Sequence, residues 1–234
     1  MKTFVPPALD GARSRAKAAL SRLGSSLRRT LSQSGGPVLR RAVDIVGASA
    51  GLLACAPILV AAAVATRTSS PGPVFYGQTR VGQGGRPFRL YKLRSMFIDA
   101  DARLDALAAA NESVGGVTFK IRNDPRITPV GRLLRKFSID ELPQLWNVLN
   151  GTMTILGPRP PVPSEVAKYG PRERRRLEVK PGLTCLWQVS GRSDLSFDEQ
   201  VALDVGYIDA STVVDDLNIL FRTIPAVVLG KGAY

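Results

Sequence analysis

Histidine is absent from this 234-residue chain. That absence removes histidine general bases, serine–histidine nucleophile pairs and histidine-ligated zinc in one step. Cysteine is almost absent: Cys55 and Cys185 lie far apart in apolar settings, which excludes a disulfide framework and any CxxC pair. Aromatics make up only 6% and are not interleaved with the basic clusters, so the stacking platform of a nucleic-acid binder is missing. Acids are scarce, 19 against 32 lysines and arginines, for a net charge of +13. Such a balance can simply solubilise, but its natural partners are phosphorylated molecules and acidic lipid head groups. A nucleophile in this chain falls to a carboxylate, Ser, Thr or Lys, and a metal to a hard ion held by oxygen.

Charge also organises the chain. Residues 1–41 carry nine basic side chains and one acid, Asp10, and read as a basic, mostly flexible arm over 1–38. From Ile45 to Thr66 there follow 22 residues without a charge, long enough for a membrane segment. Pro57 falls in the middle, where it removes a helical hydrogen bond. Residues 67–98 then hold six basic side chains and no acid, so both flanks favour the cytoplasmic side. A helix over 39–67, broken at Pro57 and re-entering on the side it left, satisfies both flanks. A kinked spanning helix and a buried core helix are the competing readings. The remainder, 68–234, reads as one catalytic domain.

Within it, Val74–Tyr76 and Pro87–Leu93 alternate around a Gly-rich stretch and predict a short hairpin. Ile98–Ala110 reads as helical. Thr128 followed by Pro129 marks a helix start, Ser196-Phe-Asp-Glu199 is a capping box, and Ser211 or Thr212 opens a last helix with Leu217, Leu220, Phe221 and Ile224 on one face. That face suits either a membrane surface or the core.

The stretch SIDELPQLWNV, residues 138–148, carries the chemistry. Ser138-x-x-Glu141 has the form of a capping box, yet Pro143 would then lack an N–H that an inner helical position requires. Placing the cap at Asp140 removes the conflict and seats that carboxylate at a positive helix end, which favours ionisation and welcomes phosphate. Lys120, Arg122, Arg126, Arg132, Arg135, Lys136 and Arg159 crowd the flanks. Two carboxylates among cations, with no histidine, suit phosphoryl transfer through an acyl phosphate. Ordinary acidic capping remains the alternative at this level.

KLRSM at 92–96, DPRITPVGRLLRKFSIDELPQLWNVLNGTMTILGPRP at 124–160 and KPGLTCLWQVSGRSDLSFDEQVALDVGYI at 180–208 together resemble the bacterial sugar transferase family, the monotopic polyprenyl-phosphate phosphoglycosyl transferases. The resemblance runs from about Leu39 to Tyr234. It implies transfer of a sugar-1-phosphate, with glucose or galactose favoured, from a UDP-sugar to undecaprenyl phosphate with release of UMP, the opening step of exopolysaccharide or surface-glycan synthesis. It implies that Asp140 is the nucleophile of a covalent phosphosugar intermediate and that Glu141, with Asp140, binds Mg2+. By the same matching, Arg135, Arg159 and Arg192 would hold phosphates or the uridine diphosphate. Lys92, Arg94 and Asp204 would be further active-site members.

The family's re-entrant helix breaks at a Ser-Pro pair; here Ala56 precedes Pro57. Larger members carry four spanning helices ahead of this domain, so the chain reads as a short form. The expected fold is α+β and mostly helical: a re-entrant membrane hairpin joined to a cytoplasmic domain with a small β-hairpin and amphipathic interface helices, at the bacterial inner membrane. Beyond lipid and the two substrates, the sequence leaves open contacts with downstream glycosyltransferases and a homo-oligomer. A non-catalytic membrane scaffold is the rival function, though it would have no use for the acidic pair.

Overall fold

The computed structural model describes residues 36–104, 106–107, 111–112, 117–119, 121, 123–191 and 194–229. Most of the expected arm over 1–38 lies outside them, and Met1–Ala42 forms a unit separate from Val43–Tyr234. The described elements are mixed and mostly helical, with two small two-stranded sheets.

Helix α1, Gly36–Ser69, is 34 residues long with a mean hydropathy of 2.2 over its most apolar window. At 1.5 Å per residue it extends about 51 Å, enough to cross a membrane. The interruption expected at Pro57 does not occur: the helix continues through it. An interior proline deletes one intrahelical bond, and the Ala- and Leu-rich turns on both sides keep their own. Its buried residues fall toward the two ends, Asp44 and Ala48 at one, Ala62 and Thr66 at the other. Residues 53–58 between them are exposed apart from half-buried Cys55. Asp44 Oδ1 accepts from Thr154 Oγ1 and Ile155 N, both at 2.9 Å. Ala48 packs with Leu90, Leu145, Val148 and Met153, while Ala62 packs with Leu93 and Leu134.

Strands β1 (Phe75–Val81) and β2 (Pro87–Leu93) form the expected hairpin, antiparallel from Phe75 opposite Leu93 to Val81 opposite Pro87. The first strand outruns its expected end at Tyr76 because Gly77 pairs with Tyr91 like any strand residue. Gly84 and Gly85 turn the chain at φ of 67° and 77°, conformations that favour glycine. The α-helix expected over Ile98–Ala110 is absent among the described residues, which form turns over 98–104 and a 3-10 stretch at 106–107. Asp99 pairs with Arg103 four residues on, and Asp101 accepts from Tyr76 Oη at 3.2 Å.

Helix α2 (Pro129–Lys136) begins where the sequence signals, with Thr128 Oγ1 accepting from Gly131 N at 2.9 Å. Gly131 lies so close to the Ser95 backbone that a side chain would collide with that carbonyl. Helix α3 (Gln144–Leu149) follows, then β3 (Thr154–Leu156), α4 (Pro163–Val166), α5 (Pro171–Arg174) and β4 (Gly182–Thr184), which pairs parallel with β3. The Ser196–Glu199 capping box opens α6 (Phe197–Ala210), where Phe197 and Val201 pack against Tyr169. Thr212 and Asp215 cap α7 (Val213–Leu229) reciprocally. It docks through buried Ile219 and through the Thr223 hydroxyl, 2.9 Å from that of Thr184. The apolar stripe expected here therefore faces outward at Leu217, Phe221 and Ile224, with Leu220 half-buried.

Candidate active site

The acidic pair does not sit where a helix-cap reading puts it. Residues 139–141 form a separate 3-10 turn, Pro143 is the cap of α3, and Ser138 makes no side-chain capping bond. Ser138 instead takes φ 53°, the one described non-glycine residue with positive φ. A β-carbon in that region is disfavoured and persists where surroundings hold it, often beside a functional group. Here it reverses the chain at the end of α2 and delivers Asp140 and Glu141 into a groove of about 1550 Å3.

The two carboxylates are treated differently. Glu141 Oε1 accepts from Lys92 Nζ at 2.9 Å and from an Arg159 Nη1 at 3.3 Å. Burial opposes its ionisation, but Lys92 and Arg159 overcome this and hold its carboxyl well below the usual range. Asp140 is 5% exposed, and among the described residues no hydrogen bond or ion pair ties its side chain. Burial pushes its pKa up; Lys92 pulls the other way, and the charge on Glu141 adds to the rise. Asp140 therefore titrates above the ordinary aspartate range, because desolvation outweighs the dipole of a 3-10 turn that is short and not a helix start.

Local structure brings the cations to this pair. Lys92 lies at the end of β2, and α3 is locked to that strand by buried Asn147, whose Oδ1 accepts from Tyr91 N at 3.0 Å while Nδ2 donates to Arg89 O at 2.7 Å. Arg135, one turn before the dyad on α2, donates from Nε to Ser95 Oγ at 2.9 Å. Its pKa is lowered by burial, with Asp140 working against the shift. Arg159 follows β3 in the Pro-rich turn.

Of the residues singled out in the sequence, Asp140, Glu141, Lys92, Arg135 and Arg159 come together. Arg94 does not join them. Its guanidinium donates to Pro73 O (2.6 Å), Ser70 Oγ (2.6 Å) and Ser70 O (2.8 Å), binding the end of α1 to β2. Strand alternation would put Lys92 and Arg94 on one face, but β2 ends at Leu93, so the rule no longer places Arg94. Asp204 is also engaged elsewhere. It is 1% exposed and pairs with Arg176 Nε at 2.9 Å. Burial raises its pKa to about 6 against the pull of Arg176, and the Trp187 indole N–H lies near without completing a hydrogen bond. Arg192 lies outside the described residues.

Sequence reasoning missed Arg80, Arg176 and Ser95. Arg80 is buried beside Arg159, which helps lower its pKa to about 10 after burial itself. A signal for it existed: Tyr76, Gln78 and Arg80 alternate along one face of β1. Nothing local marks Arg176 within its arginine-rich run.

Four cations, Arg80, Lys92, Arg135 and Arg159, thus surround the two carboxylates, with Glu165 a third acid near Arg80 and Arg159. Both cation contacts to Glu141 fall on Oε1. Among the described residues no three His, Cys, Asp or Glu side chains gather as a metal cage. Two adjacent carboxylates do match a hard ion that draws its remaining ligands from phosphate and water.

The family described as bacterial sugar transferase matches residues 36–230. The galactosyl transferase CpsE of Streptococcus agalactiae serotype III is 45% identical over 197 residues, 84% of this chain and 43% of that protein. The exopolysaccharide production protein ExoY of Rhizobium meliloti is 41% identical over 202 residues, 85% of this chain and 89% of that protein. The UDP-glucose:undecaprenyl-phosphate glucose-1-phosphate transferase of Caulobacter vibrioides is 39% identical over 227 residues, 91% of this chain and 80% of that protein. The chain therefore spans less than half of CpsE but most of ExoY, and it belongs to the bacterial sugar transferase family.

Proposed function

We propose that this sugar transferase moves a hexose-1-phosphate, glucose or galactose, from a UDP-sugar to undecaprenyl phosphate, releasing UMP and initiating exopolysaccharide synthesis at the cytoplasmic face of a bacterial inner membrane. The asymmetry of the acidic pair carries this reading: Glu141 is pinned and ionised by two cations, whereas Asp140 is buried, untied and unusually basic.

In the first half-reaction an ionised Asp140 oxygen attacks the phosphorus that bears the sugar. The bridging P–O bond breaks, UMP leaves with that electron pair, and the sugar phosphate is held as an acyl phosphate. In the second, a phosphate oxygen of the lipid attacks the same phosphorus and returns the carboxylate. Desolvation keeps Asp140 basic, which strengthens it as a nucleophile once ionised. Lys92, Arg135 and Arg159 offset phosphoryl charge in both steps. Glu141 with Asp140 would hold Mg2+, which when bound supplies further neutralisation of the diphosphate oxygens.

The groove supports a lipid acceptor. It reaches from the dyad to apolar side chains of α7, including Leu217, Phe221 and Ile224, whose exposure suits a membrane surface. Because α1 runs on through Pro57, re-entrance would need a bend there and not a break; its two ends, both packed on the rest of the chain around an exposed middle, support that reading. The names of relatives, including the undecaprenyl-phosphate galactose phosphotransferase of Salmonella typhimurium, favour the transfer over a scaffold. The test is UMP release from purified protein given undecaprenyl phosphate and a panel of UDP-sugars. UMP with one UDP-hexose supports the reading; none with any UDP-sugar refutes it.

A further inference from the structure

Residues 157–162 read GPRPPV. Pro158, Pro160 and Pro161 have no N–H, so at those positions the turn can be held only through its carbonyls. Four consecutive carbonyls are claimed from three parts of the chain, two of them by neighbouring residues of β1. Gly182 N donates to Pro158 O at 2.9 Å, Arg176 Nη2 to Arg159 O at 3.5 Å, Arg80 Nη1 to Pro160 O at 2.9 Å and Val81 N to Pro161 O at 2.9 Å. In the middle stands Arg159, whose guanidinium reaches Glu141.

Arg80 is the unusual member of this set. It is 9% exposed, and among the described residues it forms no ion pair. Its Nε and Nη2 both donate to Gln78 Oε1, at 3.0 and 2.7 Å, which leaves Nη1 directed at the Pro160 carbonyl. All three of its hydrogen bonds go to neutral oxygens, and burial together with the neighbouring Arg159 depresses its pKa in spite of Glu165 and Glu141. Such a group persists where it holds something that a neutral side chain cannot.

We propose that Arg80, braced by Gln78, is a positioning residue for the transfer: it fixes the Pro160 carbonyl and thereby aims Arg159 at Glu141 and the donor diphosphate. This rests on the reading of Asp140 and Glu141 as the reacting pair. The Arg159 side chain is long and only partly buried, so without a fixed turn it would sample many rotamers. A misplacement of about 1 Å at a positioned group can cost up to about 100-fold in rate.

The experiment is a double-mutant cycle on the full-length chain, with UMP release from UDP-hexose and undecaprenyl phosphate as the readout. Arg80→Met should lower kcat/KM by roughly 10- to 100-fold, mainly in kcat. In an Arg159→Ala background the same change should cost no more than about threefold, because its target is gone. Arg80→Lys, which keeps one donor, should recover part of the loss. Gln78→Leu leaves the guanidinium in place and removes only its brace. It should give a smaller loss that also vanishes in the Arg159→Ala background, which covers the case in which Arg80→Met does not fold. An equal loss with and without Arg159, for either variant, overturns the positioning role. Turnover by Asp140→Asn, or none by the wild-type chain, overturns the reaction itself and this role with it.

Discussion

Replacing Asp204 with alanine is expected to destabilise the protein severely without touching the reacting pair. The carboxylate is 1% exposed, and Arg176, 5% exposed, donates to it at 2.9 Å. The same guanidinium donates to Tyr169 Oη at 2.8 Å and lies 5.9 Å from the ring centres of both Tyr169 and Phe197. Removing the acid strands a cation between two aromatic rings, a change that costs about 3–5 kcal/mol for buried pairs. For a chain of this size each kcal/mol shifts Tm by about 2–4 °C, so a fall of roughly 6–20 °C is expected. The pair is nevertheless not a net stabiliser. The Asp204 pKa rises from 3.8 to about 6, which shows that burial outweighs the attraction of Arg176. Because the folded state binds the proton more tightly, stability from this group is greatest below about pH 4 and is lost as pH rises through about 6. That loss is about 3 kcal/mol at about 1.4 kcal/mol per pKa unit. An Asp204→Leu/Arg176→Met double variant should therefore be more stable than Asp204→Ala, though slower in transfer because Arg159 O loses a partner. Thermal unfolding in detergent, followed by circular dichroism from pH 4 to 7, reads all of this. A Tm loss under about 2 °C for Asp204→Ala, or a double variant less stable than the single, would refute the reasoning.

Three further outcomes follow from the site and the helix. Since Asp140 must be ionised to attack and its pKa is raised, kcat/KM should fall with falling pH along a limb above the ordinary aspartate value of about 4; an acid limb at or below that value contradicts the burial effect. Chelation of divalent metal by EDTA should stop turnover and added Mg2+ restore it, whereas undiminished activity in EDTA would exclude a metal at Glu141. Cysteines placed at Ser34 and Ser69, with Cys55 and Cys185 replaced by serine, should both label from the cytoplasmic side; opposite-side labelling establishes a spanning α1.

Features governed by neighbouring residues were legible in the sequence. Thr128 with Pro129, the Ser196–Glu199 box and the glycine-closed hairpin rest on backbone rules that act within a few residues. The acidic pair was legible as composition, and of the cations read beside it Arg135 and Arg159 join it while Arg126 pairs with Asp124. What escaped depends on partners distant in sequence. Pro143 signalled that an ordinary cap at Ser138 was wrong, but only the folded chain shows that a left-handed Ser138 and a 3-10 turn resolve the conflict. The segment after Ile98 has helical composition yet forms turns, with Asp101 held by Tyr76 of the distant β1. Arg94 and Asp204 belong to motifs of the family and are buried by tertiary partners, Ser70 and Arg176, that no spacing predicts. The rise in the Asp140 pKa likewise comes from burial, which is a property of the fold and not of the turn.

The central claim is that Asp140 carries the sugar phosphate between the two substrates. Incubating the protein with a UDP-sugar labelled in the β-phosphate, without lipid acceptor, and mapping the label by peptide mass spectrometry tests it most directly. The account predicts one labelled acyl phosphate, at Asp140, that is discharged by undecaprenyl phosphate and absent from Asp140→Asn. Label on another side chain, or turnover with no labelled protein at any time, would contradict it.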